Sequence, residues 1–224
     1  MSFTVPTQAS IGAFSTEIAT ALTLKGEYDS RIANAFYTFA TEVNANATTA
    51  QAQIDVPLGS AILAAGTPMA AFADNASSNP GITLADSESV AIRWNNNGTQ
   101  TAIWYRVNMP QDLDASAPIV LHVLASKSGA TVGDATTFTV TAFFQTVGAL
   151  HDADANCGGT TSAMTGDATA KTVAELTLSI AHGDVPPAPC SLAFSIKPTD
   201  GTLGTDDVMV HALWFEFTKA TLSS

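Results

Sequence analysis

Asp207-Val-Met-Val-His-Ala-Leu-Trp-Phe-Glu-Phe-Thr218 is the longest and most aromatic of a series of apolar segments in this 224-residue chain. It is rich in β-branched and aromatic residues and holds neither Pro nor Gly, the composition a pleated, half-buried strand favours. Six more segments of this kind precede it within Asp86 to Lys219, separated by clusters of Gly, Pro, Asp and Asn. A series of that kind predicts an antiparallel β-sandwich.

Working back from the closing strand, Leu192, Phe194 and Ile196 form one apolar face, and Leu176, Leu178 and Ile180 form another. Between them, Asp184-Val-Pro-Pro-Ala-Pro189 is excluded from a sheet interior, because proline donates no ladder hydrogen bond. Phe138, Val140, Ala142 and Phe144 are expected inside, with Thr137, Thr139 and Thr141 as a solvent-facing ladder. Ile119 to Ala125 is apolar almost throughout, apart from His122. Val90, Ile92 and Trp94 alternate with Ser89, Ala91 and Arg93, then turn at Asn95-Asn-Asn-Gly-Thr99. The return strand carries Ile103, Tyr105, Val107 and Met109, with Trp104 on its other face. A weaker candidate at Gly81–Ala85 makes eight strands, which fits a mainly β, jelly-roll-like sandwich. An immunoglobulin-like sandwich is the alternative; Cys157 and Cys190 read as loop residues, so its core Cys–Trp–Cys arrangement is not visible. Residues 148–170 have no apolar period and read as a long loop with a job or a partner.

Upstream the period changes. Ser10 is a plausible N-cap, and Phe14, Ile18 and Leu22 recur every four residues until Gly26. A second helix from Asp29 or Ser30 carries Ile32, Phe36, Phe39 and Val43 at the spacing of a helical seam. The seam would serve either as an amphipathic face packed on its own domain or as a homotrimeric or homodimeric stalk. These four residues are the candidates for oligomerisation or attachment. Asn79-Pro80-Gly81 is a strong chain reversal, so the expected division is an arm with helices over 1–80 and a sandwich over 81–224.

Charged residues make up only 12% of the chain, which leaves Ser, Thr, Asn, Gln and Ala to coat the surface. Such a coat suits repeated lateral packing, since few ions need desolvating at each contact, and it suits equally a soluble protein with a polar, uncharged surface. Eight basic against twenty acidic residues disfavour nucleic acid and anionic membranes as partners. Met-Ser-Phe-Thr-Val-Pro6 lacks the regions of a signal peptide, and no apolar run reaches membrane-spanning length, so synthesis in a cytosol is expected. Two free thiols are the simpler expectation for the cysteines, with one disulfide as the alternative.

The chemistry-bearing residues do not assemble into a catalytic pattern. His122 and His211 fall inside strands, while His151 and His182 fall at strand ends, and none has the i, i+4 spacing of a helical zinc site. Asp152, Asp154 and Asn156 resemble the opening of a calcium loop. Cys157 stands where its glycine should be and Ala163 where its glutamate should be, so an acidic turn is the simpler reading. The motifs of serine hydrolases, phosphate loops and dinucleotide folds are missing, and no carboxylate pair is singled out. Trp94, Trp104, Tyr105 and Trp214 are candidates for a sugar-stacking platform, though strand aromatics more often pack in cores. No enzyme and no cofactor is expected.

Several runs carry a resemblance: Ser89-Val-Ala-Ile-Arg-Trp-Asn-Asn-Asn-Gly-Thr-Gln-Thr-Ala102, Val107-Asn-Met-Pro-Gln-Asp-Leu-Asp114, Ala125-Ser-Lys-Ser-Gly-Ala-Thr-Val-Gly-Asp134, the loop from Phe144 to Gly159, and Ile196-Lys-Pro-Thr-Asp-Gly-Thr-Leu-Gly-Thr-Asp-Asp207. They resemble the β-sandwich modules of virion proteins in tailed bacteriophages, over about residues 86–220. The resemblance implies a structural protein on the outer surface of a virion. Its first form would be a capsid decoration or cement protein, homotrimeric and attached to the major capsid protein or other virion proteins through the N-terminal arm. Its alternative is a trimeric tail-fibre appendage that binds a receptor glycan.

Overall fold

The structure, a computed structural model, describes residues 16, 51–72, 79–85, 89–96, 99–129, 135–150, 154–165, 171–199 and 206–220. The chain divides into two compact units, Gln51–Thr218 and Met1–Ala50 with Lys219–Ser224. The expected helices of residues 10–26 and 29–43, with Ile32, Phe36, Phe39 and Val43, lie outside the described residues apart from Thr16.

The unit Gln51–Thr218 is mainly β. Its strands are β1 (Gln51–Asp55), β2 (Ile62–Leu63), β3 (Gly81–Ala85), β4 (Ser89–Trp94), β5 (Ile103–Asn108), β6 (Ile119–Lys127), β7 (Ala135–Thr136), β8 (Phe138–Thr146), β9 (Met164–Thr165), β10 (Val173–Ile180), β11 (Cys190–Pro198) and β12 (Val208–Thr218). The larger sheet runs β10-β6-β12-β4-β3, with β1 also on β12, and the smaller runs β2-β5-β11-β8. Their strand pairs are antiparallel. From β4 to β12 the long strands alternate between sheets at each step: β4, β6, β10 and β12 in the larger, β5, β8 and β11 in the smaller. That winding buries one face of each sheet against the other, as a jelly-roll sandwich does.

All seven expected segments are strands, and so is Gly81–Ala85. The sandwich, however, begins well before residue 80. β1 pairs with β12 along Gln51↔Thr218 to Asp55↔Trp214, and Ile62↔Trp104 ties β2 to β5. β1 is only five residues long and β2 two, too short for an alternation to stand out from the Ala-rich sequence around them.

β12 is long because it serves two neighbours on one edge, β4 along Val208–Val210 and β1 along Trp214–Thr218. On its other edge the register with β6 shifts between Val210 and Ala212. The extra residue of this bulge is His211, and it flips the phase of the strand. Val208 and Val210 face the core before it, and Leu213, Phe215 and Phe217 after it. The core is aromatic at its centre: Phe194 lies edge-on to Phe215 at 5.0 Å, and Trp94 edge-on to Phe138 at 6.2 Å. Trp94, Phe138 and Phe194 are fully buried, so each contributes roughly 1.5–3 kcal/mol by leaving water.

The expected long loop closes the open side of the sandwich. Residues 154–162 run along the edge of β8 and satisfy its outward amides in order. Thr161 Oγ1 accepts from Phe138 N (3.0 Å), the Gly159 carbonyl from Val140 N (2.8 Å), Asn156 Oδ1 from Ala142 N (2.9 Å) and Asp154 Oδ2 from Phe144 N (2.5 Å). Ser162 N then donates to the Thr177 carbonyl of β10, so one segment bridges both sheets. Unpaired strand edges invite association, and this one is covered. A Cβ on Gly158 would lie 2.1 Å from the Val140 carbonyl oxygen, so only glycine fits against β8 there.

Candidate functional site

The four aromatics proposed as one platform go to three places. Trp94 is sealed in the core, its Nε1 donating to the Thr101 carbonyl at 2.9 Å. Tyr105 also faces inward, stacked on Phe194 at 5.2 Å, and burial pushes its hydroxyl well above the ordinary tyrosine range. Trp214 lies on the outer face of the larger sheet and Trp104 on the outer face of the smaller. Strict alternation forces this split, since Trp104 and Tyr105 are neighbours on one strand.

Trp104 has a partner that the sequence reading placed on no platform. Phe143 of β8 points outward from the threonine side of its strand, and its ring lies parallel to Trp104, at 9° and 6.5 Å between centroids. The two belong to strands separated by β11, whose outward residues there are Ser191, Ala193 and Ser195. Small side chains on the middle strand allow the rings to lean over it. A groove of about 540 Å³ opens beside Trp104, walled on one side by Ile62 and Leu63 of β2 and on the other by Arg106, Gln145 and Ala193. Gly66, at φ +77°, makes the turn behind that wall, donating its amide to the Leu63 carbonyl.

Polar groups line up next to the aromatic pair. Arg106 Nη2 donates to Ser191 Oγ at 3.1 Å, and Ser191 Oγ donates to Gln145 Oε1 at 3.5 Å. A row therefore crosses three strands, guanidinium on one side and carboxamide on the other. The four strands of this sheet contain Arg106 and Lys197 and no Asp or Glu. The threonines further along are bonded as well, Thr137 and Thr139 both meeting Thr199 Oγ1 at 2.9 Å, so that ladder is less open than expected. The signal for this face was the adjacent pair Phe143-Phe144: in a strand, one of two neighbouring aromatics must leave the core.

The remaining candidates have structural partners. His122 Nδ1 donates to Glu175 Oε1 at 2.5 Å, its Nε2 lies 3.8 Å from Glu216 Oε2, and its ring stacks on Trp214 at 4.9 Å. The two carboxylates approach opposite nitrogens and tie β10, β6 and β12 together. They do not converge on a common point. His211 Nε2 lies 2.8 Å from the buried Ser126 Oγ and its Nδ1 3.4 Å from Ser89 Oγ, so a serine stands where a catalytic triad would need a carboxylate. Burial holds the His211 imidazole below its usual range. His182 sits in an exposed turn, and His151 lies outside the described residues.

Of the calcium candidates, Asp154 and Asn156 each spend a side-chain oxygen on the amides of β8, and Asp152 lies outside the described residues. Among the described residues no group of three His, Cys, Asp or Glu is placed to hold a metal ion. Both cysteines are free thiols; Cys190 opens β11 rather than lying in a loop, and Cys157 belongs to the segment that covers β8. Burial, with Asp154 and Asp184 adding to it, pushes the Cys157 thiol up to about 11.

No family model matches the chain, and no curated protein matches it by sequence. Solved structures with a similar course of the chain include the xylan-binding module CBM15, at 14% identity and a TM-score of 0.42, covering 77% of this chain and 99% of that one. The second N-terminal cellulose-binding domain of Cellulomonas fimi β-1,4-glucanase C has 15% identity and a TM-score of 0.37, over 75% and 92%. The enzymatically active domain of tailspike protein 4 from bacteriophage CBA120 has 8% identity and a TM-score of 0.31, over 75% and 19%. At these values the likeness carries no argument about what this chain binds.

Proposed function

We propose that this chain is a non-catalytic glycan-binding module whose ligand lies along the outer face of the smaller sheet. The observation that supports this is the parallel pair Trp104 and Phe143, partly exposed over the small residues of β11 and flanked by Arg106 and Gln145. A sugar ring presents an apolar C–H face and a rim of hydroxyls. Flat aromatic rings match the first, and a guanidinium and a carboxamide match the second, since they donate and accept at fixed angles. The groove volume falls in the range of roughly 300–1,000 Å³ typical of small-ligand clefts.

The resemblance to phage virion modules supplies the setting: an appendage on the outer surface of a virion, assembled as a homotrimer through the seam of Ile32, Phe36, Phe39 and Val43, and contacting a host glycan. The acidic balance suits such an exterior position. A role in cementing the head lattice gains nothing from the groove, because lattice attachment does not call for an aromatic and polar cleft. Labelling of intact particles separates the two, tail decoration supporting the appendage and facet decoration the cement.

The test of the binding itself is a glycan array with the full chain, followed by calorimetry on the ligands retained. Trp104→Ala and Phe143→Ala should abolish retention, while Trp214→Ala on the opposite sheet should keep it, with all three proteins melting cooperatively. An array on which nothing is retained would overturn the reading, as would equal loss in Trp214→Ala.

A further inference from the structure

Charge on the smaller sheet runs against that of the chain. Twenty acidic residues outnumber eight basic ones, yet the four strands of this sheet carry two bases and no acid. Arg106 is exposed at the rim of the groove, next in line to Trp104. Its Nη2 is anchored to Ser191 Oγ, which draws the guanidinium towards β11. Among the described residues no carboxylate pairs with it, whereas Arg93 on the larger sheet is neutralised by Asp207. A guanidinium held in place beside stacked aromatic rings, with no carboxylate on it among the described residues, is half of a recognition site.

We infer that the groove selects an acidic sugar, one whose ring lies against Trp104, the ring that stacks on Phe143, and whose carboxylate is taken by Arg106. This rests on the glycan-binding reading and narrows it to a ligand class. The chemistry favours a carboxylate because the planar guanidinium fork matches it with two parallel hydrogen bonds, and because charge-assisted bonds of this kind are about twice as strong as neutral ones. Gln145, linked to Arg106 through Ser191, presents a carboxamide for the hydroxyl rim on the same wall of the groove. The overall charge of −12 repels polyanions in general, so retention of an acidic glycan would have to come from this local site rather than from the surface as a whole.

The experiment is calorimetric titration of the full chain with oligomers of galacturonate, glucuronate and sialic acid, each beside its carboxyl-reduced counterpart. At least one acidic oligomer should bind at least about tenfold more tightly than its reduced form, and Arg106→Gln should erase that difference by weakening the acidic oligomer more than the reduced one. Arg106→Lys, which keeps the charge and loses the fork, should recover only part of it. Equal binding of acidic and reduced forms, or an acidic preference that survives in Arg106→Gln, would overturn the selection for acid and leave the glycan-binding reading intact. Failure of every acidic and reduced oligomer to bind the unmodified protein, combined with an empty glycan array, would remove both.

Discussion

The side chain of Asn156 takes the place of a strand for Ala142. Its Oδ1 accepts the Ala142 amide at 2.9 Å and the Gly158 amide at 3.0 Å, holding the chain against β8 where a regular ladder would otherwise be needed. Asn156→Ala leaves the Ala142 amide without its acceptor, which costs about 1–3 kcal/mol where the group stays dry. Asn156→Asp keeps the acceptor and should cost less. Gly158→Ala should cost more than either, because the new methyl meets backbone rather than a movable side chain. Urea unfolding of the three variants checks the order, and a faster hydrogen exchange at Ala142 in Asn156→Ala locates the cause.

That segment also marks where the sequence stopped being legible. The long strands could be read because their residues alternate, and alternation follows from burying one face of a sheet. Residues 154–162 cover an edge instead of a face, so their work is done by amide acceptors and a missing Cβ, which leave no apolar period. Asp152, Asp154 and Asn156 are visible as spaced side-chain oxygens that resemble a calcium loop opening, with an acidic turn the simpler reading; the spacing of two between Asp154 and Asn156 matches alternate amides of β8. The bulge at His211 was written in the chain as a change of phase from Val208-Val210 to Leu213-Phe215-Phe217, a signal that a single alternation template cannot see. The groove was half legible. Trp104 is a candidate in the sequence as one of four strand aromatics, but Arg106, Gln145 and Phe143 meet only through register across β11, and register is a property of the fold.

Arg93 and Asp207 join β4 to the start of β12. Asp207 Oδ2 accepts from Arg93 Nε at 2.8 Å and from Nη2, while Oδ1 accepts from Asn96 N at 3.0 Å, and Arg93 also covers the Phe72 ring at 4.6 Å. The aspartate side chain is only 13% exposed, so salt screens the pair weakly. A double-mutant cycle with Arg93→Met and Asp207→Ala should give a coupling of about 1–3 kcal/mol, little changed at high salt. A coupling near zero would make the pair a surface ornament.

The thiol of Cys157 donates to the Ala142 carbonyl at 3.3 Å and is held up to about 11 by burial. Its ordinary value is 9.0, so the folded state resists ionisation more than the unfolded chain does. The stability this preserves is complete below pH 9 and is lost as pH rises from there towards 11. Cys157→Ser should therefore flatten the stability profile over that interval. At pH 8 the native thiol should react with iodoacetamide much more slowly than the unfolded one, because the thiolate is the nucleophile.

Tyr105 carries a hydroxyl that has no hydrogen-bond partner among the described residues, on a side chain only 4% exposed. A buried, unsatisfied polar group costs free energy, and removing it while keeping the ring preserves the stack on Phe194. Tyr105→Phe should raise the unfolding free energy by about 1 kcal/mol, against the usual direction for a core substitution. The pH dependence supplies a second reading. Burial raises the hydroxyl from 10.0, so its contribution is intact below pH 10 and falls as pH climbs above it. The gap between Tyr105→Phe and the parent protein should then widen above pH 10, and carrying Cys157→Ser in both proteins removes the overlapping thiol. Urea titrations from pH 7 to 11 read both effects, and a variant less stable than its parent at pH 7 would show that the hydroxyl has found an acceptor.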